Sequence, residues 1–163
     1  VVASGNAGLD SNGNLYIEGG YIMAFGSNIP ECGIDANEEE GYTVIFTGGT
    51  LLAVGGGNSV PSTSSGSTQP YIAGTGSVSP NTQISLTDSS GATLASFTVP
   101  ENYSSSNSGG NNRPGGGFGS GKSILITCPG LVSGSKYNLN SGTTTTSVTA
   151  KTTGSSSGPG WRP

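Results

Sequence analysis

Two copies of one pattern, each interrupted by a Gly-Gly pair, narrow what this chain can become more than any other feature. Gly8-Leu9-Asp10-Ser11-Asn12 returns as Gly33-Ile34-Asp35-Ala36-Asn37. Ile17-Glu18-Gly19-Gly20-Tyr21-Ile22-Met23-Ala24-Phe25-Gly26 returns as Phe46-Thr47-Gly48-Gly49-Thr50-Leu51-Leu52-Ala53-Val54-Gly55. The first spacing is 25 residues and the second 29, because the second copy carries Glu38-Glu39-Glu40-Gly41 between its halves. A helix laid over either copy would contain two adjacent glycines, each costing about 1 kcal/mol relative to alanine. Short strands joined by a glycine corner fit the same residues, since glycine takes positive φ without a Cβ clash. A repeat in the twenties with two short strands per copy predicts stacked parallel β-coils.

Strand alternation assigns the faces. Leu15 and Ile17 match Val44 and Phe46 and are expected inside; Asn14, Tyr16 and Glu18 match Thr43, Ile45 and Thr47 and are expected outside. Beyond the corner, Ile22 and Ala24 match Leu51 and Ala53 as the inward pair. That leaves Tyr21, Met23, Phe25, Leu52 and Val54 on an outer apolar stripe, the assembly or packing face of the chain. Such a stripe is normally covered. The expected cover is the C-terminal half or another molecule; the sharper use of the stripe is an aromatic platform for sugar rings.

Composition agrees with an all-β fold. Glycine (30), serine (27) and threonine (18) fill 75 of 163 positions, too few of them good helix formers for a helical protein. There is no histidine, so Ser-His-Asp and Cys-His nucleophile pairs and imidazole metal ligands are excluded. Five Lys and Arg against nine Asp and Glu cannot make the basic footprint that nucleic acid requires. No run is long enough to insert in a membrane as a helix. Low charge and abundant Ser, Thr, Gly and Asn fit an extracellular or cell-surface location. Residues 1–57 are read as two coils, 58–153 as a loop, a further coil and antiparallel strands of the same domain, and 154–163 as a Gly/Ser/Pro tail. Within the middle part, Thr82–Thr87 and Thr93–Val99 flank Asp88-Ser89-Ser90-Gly91, a hairpin signal. Ser123–Thr127, Tyr137–Leu139 and Thr143–Thr152 supply further strands. These late strands are expected to cap the C-terminal coil, whose cross-section would otherwise expose apolar side chains and unpaired edges. No element is expected before Gly8, so the N-terminal end calls for an upstream segment or self-association.

The segments Gly8–Gly20, Gly33–Asn37 and Phe46–Leu51 resemble secreted bacterial carbohydrate-binding domain-containing proteins, a family with polygalacturonate-binding members. The hairpin Ile84–Val99 and the run Ser123–Ile126 followed by Pro129–Tyr137 look like that family's C-terminal region. The resemblance covers Gly8 to Gly142. It implies a right-handed parallel β-helix with antiparallel strands capping or packing on the coils, and it implies calcium.

Asp10 and Asp35 occupy equivalent places, so in-register stacking sets their carboxylates about 5 Å apart. Such a pair needs a bridging cation, a shared proton or backbone N–H caps. Calcium suits the oxygens of Asp10, Asp35, Asn12 and Asn37, with Glu31 near in sequence. The alternative is that these Asp and Asn side chains bond the turn backbone. Glu38–Glu40 is read as a solvated loop, one that repels a polyuronate unless calcium intervenes. Catalysis is not expected: identical surroundings cannot split the two aspartates into acid and base, and the arginines, Arg113 and Arg162, lie in glycine- and serine-rich segments. Cys32 and Cys128 are placed on distant coils, which argues against a bridge. Asn102-Tyr103-Ser104 is a glycosylation sequon. Two functions follow as expectations, with residual polysaccharide lyase activity ranked behind both. One is polysaccharide binding, with Tyr16, Tyr21 and Trp161 stacking on sugars. The other is a fibre subunit built through head-to-tail coil contacts.

Overall fold

The computed structural model describes residues 2–5, 8–26, 33–55, 66–103 and 122–153. Among them the fold is all-β, with one short 3-10 turn at Glu38–Glu40. The two sequence copies pair with each other in parallel. Strand β2 (Leu9–Ser11) lies beside β5 (Ile34–Ala36), and β3 (Leu15–Ile17) beside β6 (Val44–Phe46). Strand β4 (Tyr21–Gly26) lies beside β7 (Thr50–Gly55), with Ile22 opposite Leu51 and Ala24 opposite Ala53. Like residues therefore neighbour like. Each rung turns its corner at a glycine in the left-handed region, Gly20 at φ 87° and Gly49 at φ 86°.

A strand precedes Gly8 after all. In β1 (Val2–Gly5), Ala3 pairs with Ala24 and Gly5 with Gly26. Val2-Ala3-Ser4-Gly5 is thus a third version of Met23-Ala24-Phe25-Gly26 and Leu52-Ala53-Val54-Gly55. Its kinship is masked in the sequence because its offset from the next copy is 21 residues, not 29.

Parallel pairing ends at β7. Its other edge holds β11 (Lys122–Thr127) antiparallel, and β8 (Tyr71–Gly76) follows antiparallel on β11. The resulting sheet has the order β1-β4-β7-β11-β8. Strand β8 is not foreseen in the sequence, because its two glycines dilute the β signal. Packing is what demands them: a Cβ on Gly74 would stand 2.9 Å from Leu139 Cδ2, and one on Gly76 would stand 2.8 Å from Ile124 Cδ1. The remaining strands, β9 (Gln83–Thr87), β10 (Thr93–Thr98), β12 (Lys136–Ser141) and β13 (Thr144–Thr149), form an antiparallel sheet in the order β10-β9-β12-β13. The expected hairpin is its β9–β10 pair, bulged between Thr93 and Ala95. Asp88 Oδ1 fixes the turn by accepting from the Ser90 and Ala92 N–H groups and from Ser90 Oγ. Strand pairings divide into four parallel and five antiparallel, so parallel stacking shapes only the N-terminal part of the described fold.

The five-stranded sheet has apolar packing on both faces. One face gives Leu51, Ala53, Tyr71 and Leu125 to a core shared with Ile17, Ile34, Val44 and Phe46. The other gives Phe25, Leu52, Val54, Ile72, Ile124 and Ile126 to a core shared with the antiparallel sheet, through Ile84, Leu86, Phe97 and Leu139. Strands buried on both faces read as continuous apolar runs, which is why Leu51-Leu52-Ala53-Val54 lacks alternation. The stripe Met23, Phe25, Leu52 and Val54 is thus packed beneath this chain's own C-terminal strands and is not a surface for assembly. Ile45, expected outside, is only 8% exposed. Its in-register neighbour Tyr16 takes the solvent position on that ladder.

Candidate functional site

The aspartates come together as the repeat requires. Asp10 and Asp35 are partners in the β2–β5 register. Asp10 is exposed; Asp35 is half-buried, and its Oδ1 accepts the Ala36 N–H at 2.9 Å. Asn12 is exposed in the turn after β2. Asn37 starts the Glu38–Glu40 turn, its carbonyl accepting the N–H groups of Glu40 and Tyr42 at 3.2 and 3.1 Å. Of the two, only Asp35 bonds the backbone through its side chain; Asn37 does so through its carbonyl, and its side chain makes no capping hydrogen bond. The solvated loop expected at Glu38–Glu40 is a single 3-10 turn, closed by Gly41 in the left-handed conformation. Glu31 lies outside the described residues. Among the described residues no group of three or more His, Cys, Asp or Glu gathers.

The three aromatic positions fare differently. Tyr16 is 56% exposed on β3, and its hydroxyl accepts from Asn14 Nδ2 at 3.4 Å. Asn14 is itself anchored across the ladder, its Oδ1 accepting the Thr43 N–H at 2.9 Å. A phenol ring thus stands in water on a paired strand beside an oriented amide, with Tyr42 also exposed one residue before Thr43. Tyr21 is half turned inward. Its hydroxyl donates to the Ser96 carbonyl at 2.6 Å and its ring lies 5.1 Å from that of Phe97. Desolvation raises its pKa above the ordinary tyrosine value. Tyr21 therefore ties the two sheets through Ser96 and Phe97 while remaining 48% exposed. Trp161 lies outside the described residues.

A second polar surface escaped the sequence reading, which located the late strands without following their alternation. The outer face of the antiparallel sheet carries Ser96, Ser85, Asn140 and Thr145 in one cross-strand row, with Thr87, Asn138 and Ser147 in the next. Asn140 is held within this array: Thr145 Oγ1 donates to its Oδ1 at 2.8 Å, and its Nδ2 points to Ser85 Oγ and Thr87 Oγ1 at 3.4 and 3.5 Å. Period-2 reading of Gln83-Ile84-Ser85-Leu86-Thr87 and Lys136-Tyr137-Asn138-Leu139-Asn140 contains that face.

Cys128 is a buried free thiol, 1% exposed, whose pKa desolvation pushes up to about 11. It sits in the core between the sheets. Cys32, Arg113 and Arg162 fall outside the described residues. A scan against protein-family models, a search of curated proteins and a search of solved structures each returned no match.

Proposed function

We propose that this chain is a non-catalytic, extracellular or cell-surface module that binds acidic or plant-type polysaccharide, built on parallel β-helix coils closed by antiparallel strands. The observation that carries this reading is Tyr16: an aromatic ring 56% exposed on a strand, with the Asn14 amide fixed beside it. Sugar rings bind through that combination, their C–H faces on an aromatic ring and their hydroxyls on amides and carboxylates. Glu18, Thr43 and Thr47 stand one residue beyond the ends of the same two strands. In-register stacking of β2 on β5, β3 on β6, and β1 on β4 on β7 supports the coil reading.

Affinity-gel retardation on pectic and neutral plant polysaccharides tests the proposal. Retardation lost in Tyr16→Ala and kept in Tyr42→Ala is the expected result; no retardation on any glycan of a broad array refutes it. Calcium belongs to the same reading, held between Asp10 and Asp35 with Asn12 and Asn37. Excess chelator is then expected to lower Tm, and an unchanged Tm removes the ion from the proposal.

The second reading is a structural subunit of a surface assembly. The unpaired edges of β1, β2 and β3 among the described residues favour an assembly. A head-to-tail fibre is disfavoured, because β11 already occupies the β7 edge that such a joint would use. Electron microscopy of native material separates the two readings: regular fibres support the subunit, dispersed particles the binding module.

A further inference from the structure

The N-terminal end of the parallel stack is stepped. The sheet containing β4 and β7 has one more parallel strand, β1, than the ladders β2–β5 and β3–β6 have beside it. Beneath that step three inward side chains are only partly covered, although Ile17 on β3 is buried. Leu9 and Leu15 are partly exposed, whereas their register partners Ile34 and Val44 are 0% exposed. Ile22 shows the same contrast with Leu51. Unpaired strand edges and partly covered apolar side chains together form a template for further strands.

We propose that this face is an internal joint of the coil stack, and that its occupant is one more rung of the chain's own pattern, joined covalently ahead of Val1. The argument is continuity. Val2-Ala3-Ser4-Gly5 already lies in the third-strand position of such a rung, in register with β4. A rung that ends in β1 places its two earlier strands over β2 and β3, the two ladders that lack them among the described residues. Those strands run parallel to β2 and β3, with apolar residues over Leu9, Leu15 and Ile17. A close approach recurs at each rung start: a Cβ on Gly8 would lie 2.4 Å from Phe25 N, and one on Gly33 would lie 2.3 Å from Val54 N. The occupant therefore begins with glycine at the equivalent place. The opposite end of the central sheet accepts no such rung, since β11 closes it antiparallel. Growth has one direction.

The proposal rests on the coil reading and is independent of the polysaccharide. The test appends a copy of Gly33–Thr50 directly ahead of Val1, so that its Gly-Gly corner leads into Val1-Val2-Ala3 as the native one leads into Leu51-Leu52-Ala53. Hydrogen exchange is read at Leu9–Ser11 and Leu15–Ile17. Slowing of those amides by tenfold or more is expected, with none in a control whose copied Ile34, Val44 and Phe46 are changed to serine. Exchange within twofold of the parent chain overturns the proposal. So does concentration-dependent protection of the same amides in the 163-residue chain, which would give the face to a second copy. Should the extended chain fail to fold, the copy is added as a free peptide. Amide shifts confined to β2 and β3 then support the joint; their absence overturns it. Exchange does not sense sugar, so failure here and failure on the gel are separate results.

Discussion

Gly33→Ala is the sharpest perturbation of the stacked rungs. A Cβ there would lie 2.3 Å from Val54 N, 2.7 Å from Val54 O and 2.8 Å from Ala24 O, all backbone atoms of the central sheet. No side-chain rotation relieves a backbone clash. Reaching ordinary contact moves the rung off the sheet by about 1 Å, in a region holding Ile34, Leu51 and Phe46 at 0% exposure. Overpacking costs about 1–3 kcal/mol, occasionally more, and this case belongs at or above the upper end because nothing flexible yields. At ~2–4 °C per kcal/mol for a chain of this size, Tm falls by about 6–12 °C. The control is Gly13→Ala, where a Cβ meets nothing within 4 Å and φ is not in the left-handed range. It is expected to be neutral, or to stabilise by about 0.4–1 kcal/mol through the unfolded chain. Urea titration measures both, with equal slopes required before midpoints are compared. Equal midpoints for Gly33→Ala and the parent would refute the close seating of the rungs on the central sheet.

Ile34→Ala is expected to cost about 2–5 kcal/mol and Leu9→Ala clearly less, since the first is fully buried and its register partner is not; denaturant midpoints compare them. Cys128 gives an alkaline signature. Its folded pKa, near 11, stands above the ordinary value of 9.0, so the unfolded chain loses the proton first as pH rises. The thiol's contribution is intact below pH 9 and lost between there and 11, so thermal unfolding should show a falling stability in that window that Cys128→Ala lacks. Asp88 acts in the opposite direction. The Ser90 hydroxyl and then the Ala92 N–H hold its pKa below the ordinary carboxylate value, so its contribution is present above that value and fades as acid protonates it. Asp88→Ala should loosen the β9–β10 turn, seen as faster exchange at Gly91 and Ala92. Tyr21→Phe should lose about 0.5–1.5 kcal/mol, toward the lower end because the hydroxyl's site is exposed, as measured by urea titration.

What the sequence disclosed follows from its periodicities. The Gly-Gly corners, the pairing of Asp10 with Asp35 and the inward set Ile17, Val44, Phe46 and Leu51 are local patterns repeated with fixed chemistry, and the ladders reproduce them. The β9–β10 hairpin was legible for the same reason: alternation ends in an Asp-Ser-Ser-Gly turn. Three features were not. Strand β1 was hidden because two residues lie between Gly5 and Gly8 while six lie between Gly26 and Gly33. Strand β8 was hidden because Gly74 and Gly76 answer to Leu139 and Ile124, residues 65 and 48 positions away. The polar residues around Asn140 are legible strand by strand, but their joining into cross-strand rows was hidden because it depends on register, which no single strand reveals. At the candidate site, Tyr16 was legible as an exposed ring. Tyr21 was not legible as a bridge, since its partner Ser96 lies 75 residues away.

Strand β7 sends Leu51 and Ala53 into one core and Leu52 and Val54 into the other. No face of it is left for water to take gradually. Loosening either layer therefore strips packing from the strand that supports the second, and the two layers are bound to melt in one cooperative event rather than in sequence. The amides of β7 are the natural reporters of that event, exchanging only when the whole molecule opens.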